Sequence, residues 1–132
     1  MLKELAVEEL NEIGKRFRKT ISVFKEDDAG FKPAEDMYGV TYTIAHAAES
    51  IRGLAEGAFS PDGFDMDWEA HHRRVASRHT LGDAKQYFDE CLARAVELFS
   101  SANDEQLMEK LPPGPMFGGK PRMTVIEGIS DH

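Results

Sequence analysis

The stretch Val40-Thr41-Tyr42-Thr43-Ile44-Ala45-His46-Ala47-Ala48-Glu49-Ser50-Ile51-Arg52-Gly53-Leu54-Ala55 reads as one long helix, and the neighbouring segments take their meaning from it. Ile44, Ala47, Ala48, Ile51, Leu54 and Ala55 recur at helical spacing and make one face of small and aliphatic side chains. A face that small lets a second helix approach closely. The helix is expected from Val40 to Phe59, with Thr41 or Thr43 as its N-cap and the turn Ser60-Pro61-Asp62-Gly63 after it. His46 falls on the boundary of the apolar face, and Glu49 and Ser50, three and four residues on, share its side.

Upstream, Leu2, Leu5, Leu10, Ile13, Phe17, Ile21 and Phe24 mark an apolar stripe, so a helix is expected from about Leu5 to Phe24. Lys15, Arg16, Arg18 and Lys19 lie off that stripe, as a solvated face should. Glu26-Asp27-Asp28-Ala29-Gly30 stops the helix, and Pro33 keeps the following linker extended. Downstream, Phe64 to His79 holds no single period and reads as a short helix or irregular crossover near Asp67 to Ser77. Thr80 with Asp83 three residues on is an N-terminal signal. Leu81, Ala84, Phe88, Cys91, Leu92, Ala95, Leu98 and Phe99 then carry a helix to about Ser101. Asn103 or Asp104 is placed to cap a short helix through Leu107 and Met108. A loop from Pro112 to about Met123 leads to a last helix containing Val125, Ile126 and Ile129, with Thr124 as its cap. That helix has hardly begun at His132 and meets no stop signal, so it is expected to be truncated. The expected fold class is all-α, with one domain over residues 1–132.

Composition narrows the function. The 132 residues are 41% hydrophobic and 30% charged, an ordinary globular balance for a chain long enough to bury a core. Acidic residues outnumber basic ones 24 to 16, a net charge of −8 that repels phosphate backbones and anionic lipid heads. No nucleic-acid partner and no membrane partner is expected. One cysteine, Cys91, excludes an internal disulfide, and its place on an apolar stripe gives it a packing role. No signal-peptide pattern opens the chain, so the expected compartment is cytoplasmic.

Several short patterns carry chemistry elsewhere and are weak here. Gly114 to Lys120 matches a phosphate-loop string, but Pro121 stands where Ser or Thr must hold magnesium, and no strand precedes. Glu69 and His72 form a single copy of a carboxylate–histidine pair that di-iron bundles need twice. His71-His72-Arg73-Arg74 is a small cationic cluster that could bind an anion or face the acids Asp62, Asp65 and Asp67, and on a chain of charge −8 it reads as a solvated face. The histidines that matter are His46 and His132. His132 lies three residues after Ile129 and so points toward the bundle interior or its edge. One inward histidine on each of two helices can build a metal site, with Glu49 or Asp131 as hydrogen-bond acceptor for the second ring nitrogen.

The string Tyr38 to Glu49 resembles the second-helix motif of the DinB/YfiT-like family, in which a histidine is followed by small residues and an acid. The ending Thr124 to His132 resembles that family's last-helix motif, and the order of segments fits across essentially the whole chain. The resemblance implies an up-down-down-up four-helix bundle, usually a homodimer. It implies a divalent metal, nickel or zinc, held by three histidines, of which His46 and His132 match two. The third would fall beyond His132. Two histidines and waters hold an ion more weakly, so the chain as written would be metal-free or partly occupied. The implied activity is that of a metal-dependent hydrolase or thiol S-transferase, acting on a small-molecule substrate or with a low-molecular-weight thiol. Glu49 would be its catalytic acid or base. The alternative is a non-catalytic dimeric bundle, an interaction or stress-response protein without bound metal.

Overall fold

The computed structural model describes residues 1–28, 31 and 39–131. Helices α1 (Leu2–Ile21), α2 (Val40–Phe59), α3 (Trp68–Ala76), α4 (Leu81–Ser100), α5 (Asp104–Met108) and α6 (Val125–Asp131) follow in that order. The described residues contain no strand, only an isolated antiparallel bridge between Lys110 and Pro121. None of their helices is long and apolar enough to cross a membrane.

The four layers of the bundle are α1, α4, α2 and α6. The most extensive helix contact is α2 on α4, and α1 also packs on α4 while α6 touches both α1 and α2. The direction of each pairing is read from matched residues. Glu49 meets Tyr87, Glu56 meets Arg94 and Phe59 meets Phe99, so α2 and α4 run parallel. Phe17 meets Phe88 and Gly14 lies under Leu92, so α1 runs antiparallel to α4. Arg122, just before α6, donates from Nε to the Ala58 carbonyl at 2.7 Å, while Ile129 borders a groove with Ala47 and Ile51. Thus α6 runs antiparallel to α2. Parallel α2 and α4 require a connection along the length of the bundle, and α3 lies within it.

The apolar stripe of α1 is set by Ala6, Leu10, Gly14 and Ile21, all buried. Leu5, expected on that stripe, is half-exposed; five residues at the helical rotation put it roughly 140° away from Leu10. The helix also starts and ends three residues earlier than expected. Its first turn is fixed because Asp104 at the start of α5 accepts from the Leu2 amide at 2.9 Å. The small face of α2 holds: Ile44, Ala48, Ile51 and Ala55 are buried, with Ala45 and Ala58 beside them. Neither Thr41 nor Thr43 caps that helix. Gly39 is the N-cap in extended conformation, Thr41 is buried, and the Thr43 hydroxyl donates back to the Gly39 carbonyl. Thr80 does cap α4, accepting from the Asp83 amide, and Asn103 forms a capping box with Gln106 on α5. The Glu26 carboxylate adds a further acceptor for the Gly82 amide at 2.8 Å, where a helix N-terminus favours negative charge. Thr124 is not a cap but the last residue of a 3₁₀ turn, Arg122–Thr124, that follows Pro121 and runs straight into α6.

The loop before α6 is a packed corner, not a phosphate cradle. Its own carbonyls take its amides: Leu111 donates to Lys120, Gly119 to Leu111 and Lys120 to Phe117. Phe117 packs on Phe64, and these rings fit only because Gly57 and Gly128 carry no side chain; a Cβ would fall 2.2 Å from the Phe64 ring and 2.4 Å from the Phe117 ring. His132 and Tyr38 lie outside the described residues.

Candidate functional site

Helix α3 lies against α2 and brings a second set of side chains to His46. Trp68, His71 and Arg74 are spaced three apart, so they share one face of α3, and Asp67 caps that helix by accepting from the Ala70 amide at 3.0 Å. His71 Nε2 stands 2.9 Å from His46 Nδ1, with the two rings nearly perpendicular at 81°. One ring nitrogen donates and the other accepts, according to tautomer. Trp68 meets the edge of His71, and the Tyr42 hydroxyl lies 2.6 Å from His72 Nδ1.

One turn further along α2, Glu49 is 1% exposed, and a buried carboxylate needs donors. It has three: the Tyr87 hydroxyl, the Arg52 guanidinium and Arg74 Nε, the last at 2.5 Å. Burial pushes the Glu49 carboxyl up, but Tyr87, Arg74 and Arg52 outweigh it and hold it below the ordinary carboxylate range. Burial works against the Arg52 charge, and Glu49 beside it more than restores it, so that guanidinium is protonated at any ordinary pH. Burial and the Glu49 charge together push the Tyr87 phenol well above its usual range, keeping it a donor. Arg78 covers the Tyr87 ring at 4.0 Å, its Nε buried without a hydrogen-bond partner. Cys91, one turn on from Tyr87, is buried and its thiol is pushed up to about 11, chiefly by that burial. It is a packing residue with no thiolate character near neutrality.

Glu49, Arg52, Trp68, His71 and Arg74 share an open cleft of about 590 Å³. Its floor carries Glu49, Arg52 and Arg74, His71 stands at one side, and Phe64, Trp68, Leu98 and Met116 give it apolar walls. A cavity of that size with apolar walls and a few convergent polar groups is what a small-molecule site requires.

His46 is thus in place beside a second imidazole that the sequence reading put on a solvated face. The expected meeting of His46 with His132 lies outside the described residues. Among those residues no group of three His, Cys, Asp or Glu could hold a metal. Glu69 and His72 do not form a ligand pair: Glu69 meets Arg73, while His72 meets Tyr42. Trp68 and Tyr87 are not singled out by the sequence, and Arg74 enters it only as the last residue of the cationic cluster that begins at His71. The three-residue spacing of Trp68, His71 and Arg74 was the available signal for a shared face; nothing local signals Tyr87 as a partner of Glu49. Compared with protein-family models, curated proteins and solved structures, the chain matches none.

Proposed function

We propose that the protein is a DinB-like metal-dependent enzyme, of the hydrolase or thiol S-transferase type, with His46 and His132 holding a divalent nickel or zinc ion. The observation that carries this reading is the approach of His46 Nδ1 to His71 Nε2, 2.9 Å, at the edge of a cleft with a buried carboxylate. Two imidazoles bound to one ion at about 2.0–2.1 Å would stand roughly 2.9–3.4 Å apart, so the pair fits as two donors of a set. The parallel run of α2 and α4, with α1 and α6 opposite, agrees with an up-down-down-up bundle.

A divalent ion there would supply a lowered pKa for a coordinated water or thiol. The protein's own groups would do the rest. His71 would join His46 in holding the ion, through Nε2, and neither of those two nitrogens would then carry a proton. Trp68 and Phe64 would shield the cleft from water. Glu49, held ionised by three donors, takes a proton poorly, and its main service is to fix Arg52 and Arg74. The substrate would be a small molecule or a low-molecular-weight thiol, and the active form a homodimer.

Elemental analysis after loading with nickel or zinc tests the reading. Wild type is expected to retain metal that His46→Ala loses; equal content in both overturns the assignment. A second reading, a metal-free interaction bundle, is favoured by the ordinary hydrogen-bond distance of the histidine pair. There the histidine contact is simply a hydrogen bond, and neither ion raises the melting temperature.

A further inference from the structure

We infer that the cleft between α2, α3 and α4 binds a small carboxylic acid with an apolar body, its carboxylate on Arg74 and its body against Trp68. This deepens the proposed function by giving the substrate a chemical class, and it rests on that reading only for calling the bound acid a substrate. The cleft's three arginines are not equivalent. Arg52 uses one terminal nitrogen on Glu49 and the other on Glu56. Arg94 is shared between Glu56 and Glu97. Arg74 instead hydrogen-bonds Glu49 through Nε; its two terminal nitrogens make no hydrogen bond, and one of them forms a long ion pair with Asp65 at 4.0 Å. A guanidinium anchored by one edge and open at the other is a preformed fork for a carboxylate.

The acidic residues around it do not cancel that preference. Glu49 is saturated by three donors and Glu56 by two arginines. Asp65 and Asp67 each use one oxygen on the chain leading into α3, accepting from the Asp67 and Ala70 amides, and both stand in solvent, where their charge is screened. A ligand carboxylate on Arg74 also leaves Glu49 paired, because Arg52 and Tyr87 stay in place. Beyond Arg74 the walls are apolar. Trp68, 58% exposed, presents a large ring to a cleft that nothing in the fold fills.

Trp68 is the chain's one tryptophan, so its fluorescence reports occupancy of the cleft. The protein is titrated with phenylacetate, its neutral amide phenylacetamide and the cation phenethylamine, after chelator treatment and again with nickel added. Phenylacetate is expected to change the emission saturably without metal, with the amide weaker by about tenfold or more because a charge-assisted fork is lost. Arg74→Gln is expected to abolish that preference. Arg74→Lys, which keeps a cation beside Glu49 and serves as the folding control, should retain part of it. Equal binding of the amide, tighter binding of the amine, no saturable change, or an unaltered preference in a folded Arg74→Gln each overturns the proposal. Phenylacetate binding that needs nickel and ignores Arg74 also overturns it, while leaving the metal reading intact. Binding that persists in a protein taking up no nickel supports it while removing the metal reading.

Discussion

Helix α4 packs against two neighbours by two different chemistries. Toward α1 the contact is dry at its centre, where Phe88 stacks on Phe17 at 4.4 Å and Leu92 occupies the space that Gly14 leaves open, and its one charged pair among the described residues, Arg18 with Asp89 at 2.7 Å, stands at the exposed rim. Toward α2 a polar network is set among the apolar contacts: Tyr87 meets buried Glu49, Arg94 meets Glu56 nearer solvent, and Phe59 meets Phe99 at the end. The buried part of the first interface needs only shape and hydrophobicity, and an exposed pair such as Arg18 with Asp89 adds little. The second buries charge, which stabilises little relative to apolar packing but is destructive when half of it is removed. A fold has no need of such a network, and its position on the floor of an open cleft lined by His71 fits a site better than a strut.

The contrast predicts how each side fails. Phe88→Ala removes a ring that is 1% exposed from the dry interface, and about 3–5 kcal/mol of unfolding free energy should go with it in urea titrations. Glu49→Ala leaves Arg52 and Arg74 facing each other and a buried Tyr87 hydroxyl unpaired. The arginines are 26% and 40% exposed and recover some hydration, so a loss of about 3 kcal/mol is expected, the low end for a broken buried pair. A loss below about 1 kcal/mol would make the network a surface ornament and dissolve the contrast.

Acid separates the two sides without removing atoms. The folded protein holds Glu49 below the 4.5 of an unpaired glutamate, so the folded state binds its proton less readily than the unfolded state. Its contribution is therefore fully present above about pH 5 and is lost as pH falls through the lower folded value. Stability of the wild type should drop below pH 4.5 more steeply than that of Glu49→Gln, while Phe88→Ala should lose stability in parallel with the wild type. Parallel curves for Glu49→Gln and wild type would show that the carboxylate titrates as if exposed.

The same contrast explains what the sequence disclosed. The dry side was legible because it depends on periodicity: Phe88, Leu92 and Ala95 on α4 and Leu10 and Ile21 on α1 are core residues by spacing alone. Local capping chemistry was legible too, at Thr80 and Asn103. At α2 the caps failed because Gly39 took the role, and Thr43, four residues after it, turns its hydroxyl back to the Gly39 carbonyl instead. The polar side was only half legible. Glu49 stood out by its position among alanines, and Arg52 at i+3 was within reach. Arg74 and Tyr87 come from 25 and 38 residues away, and no local rule pairs them with Glu49. His71 was hidden by its neighbours, since a His-His-Arg-Arg run looks solvated until the helix turns its first and fourth residues, His71 and Arg74, toward the cleft.

The smallest effect is also the most selective test of the contrast. α3 shares its one extensive contact with α2, whereas α4 packs on both α1 and α2. A cap lost from α4 must therefore act on the whole bundle, and Thr80→Ala should lower global stability by about 1 kcal/mol. Asp67 caps α3 in the same way, but α3 can open while α1, α2, α4 and α6 stay packed. Asp67→Ala should leave the melting temperature nearly unchanged and speed amide hydrogen exchange only over residues 68–76, the segment that carries His71 and Arg74. If both substitutions slow or speed exchange across the entire bundle together, α3 is part of the cooperative core. The cleft would then be as rigid as the Phe17–Phe88 stack opposite it. If they separate, the histidine and the arginine that face the cleft ride on an element able to move independently of the frame that holds His46 and Glu49.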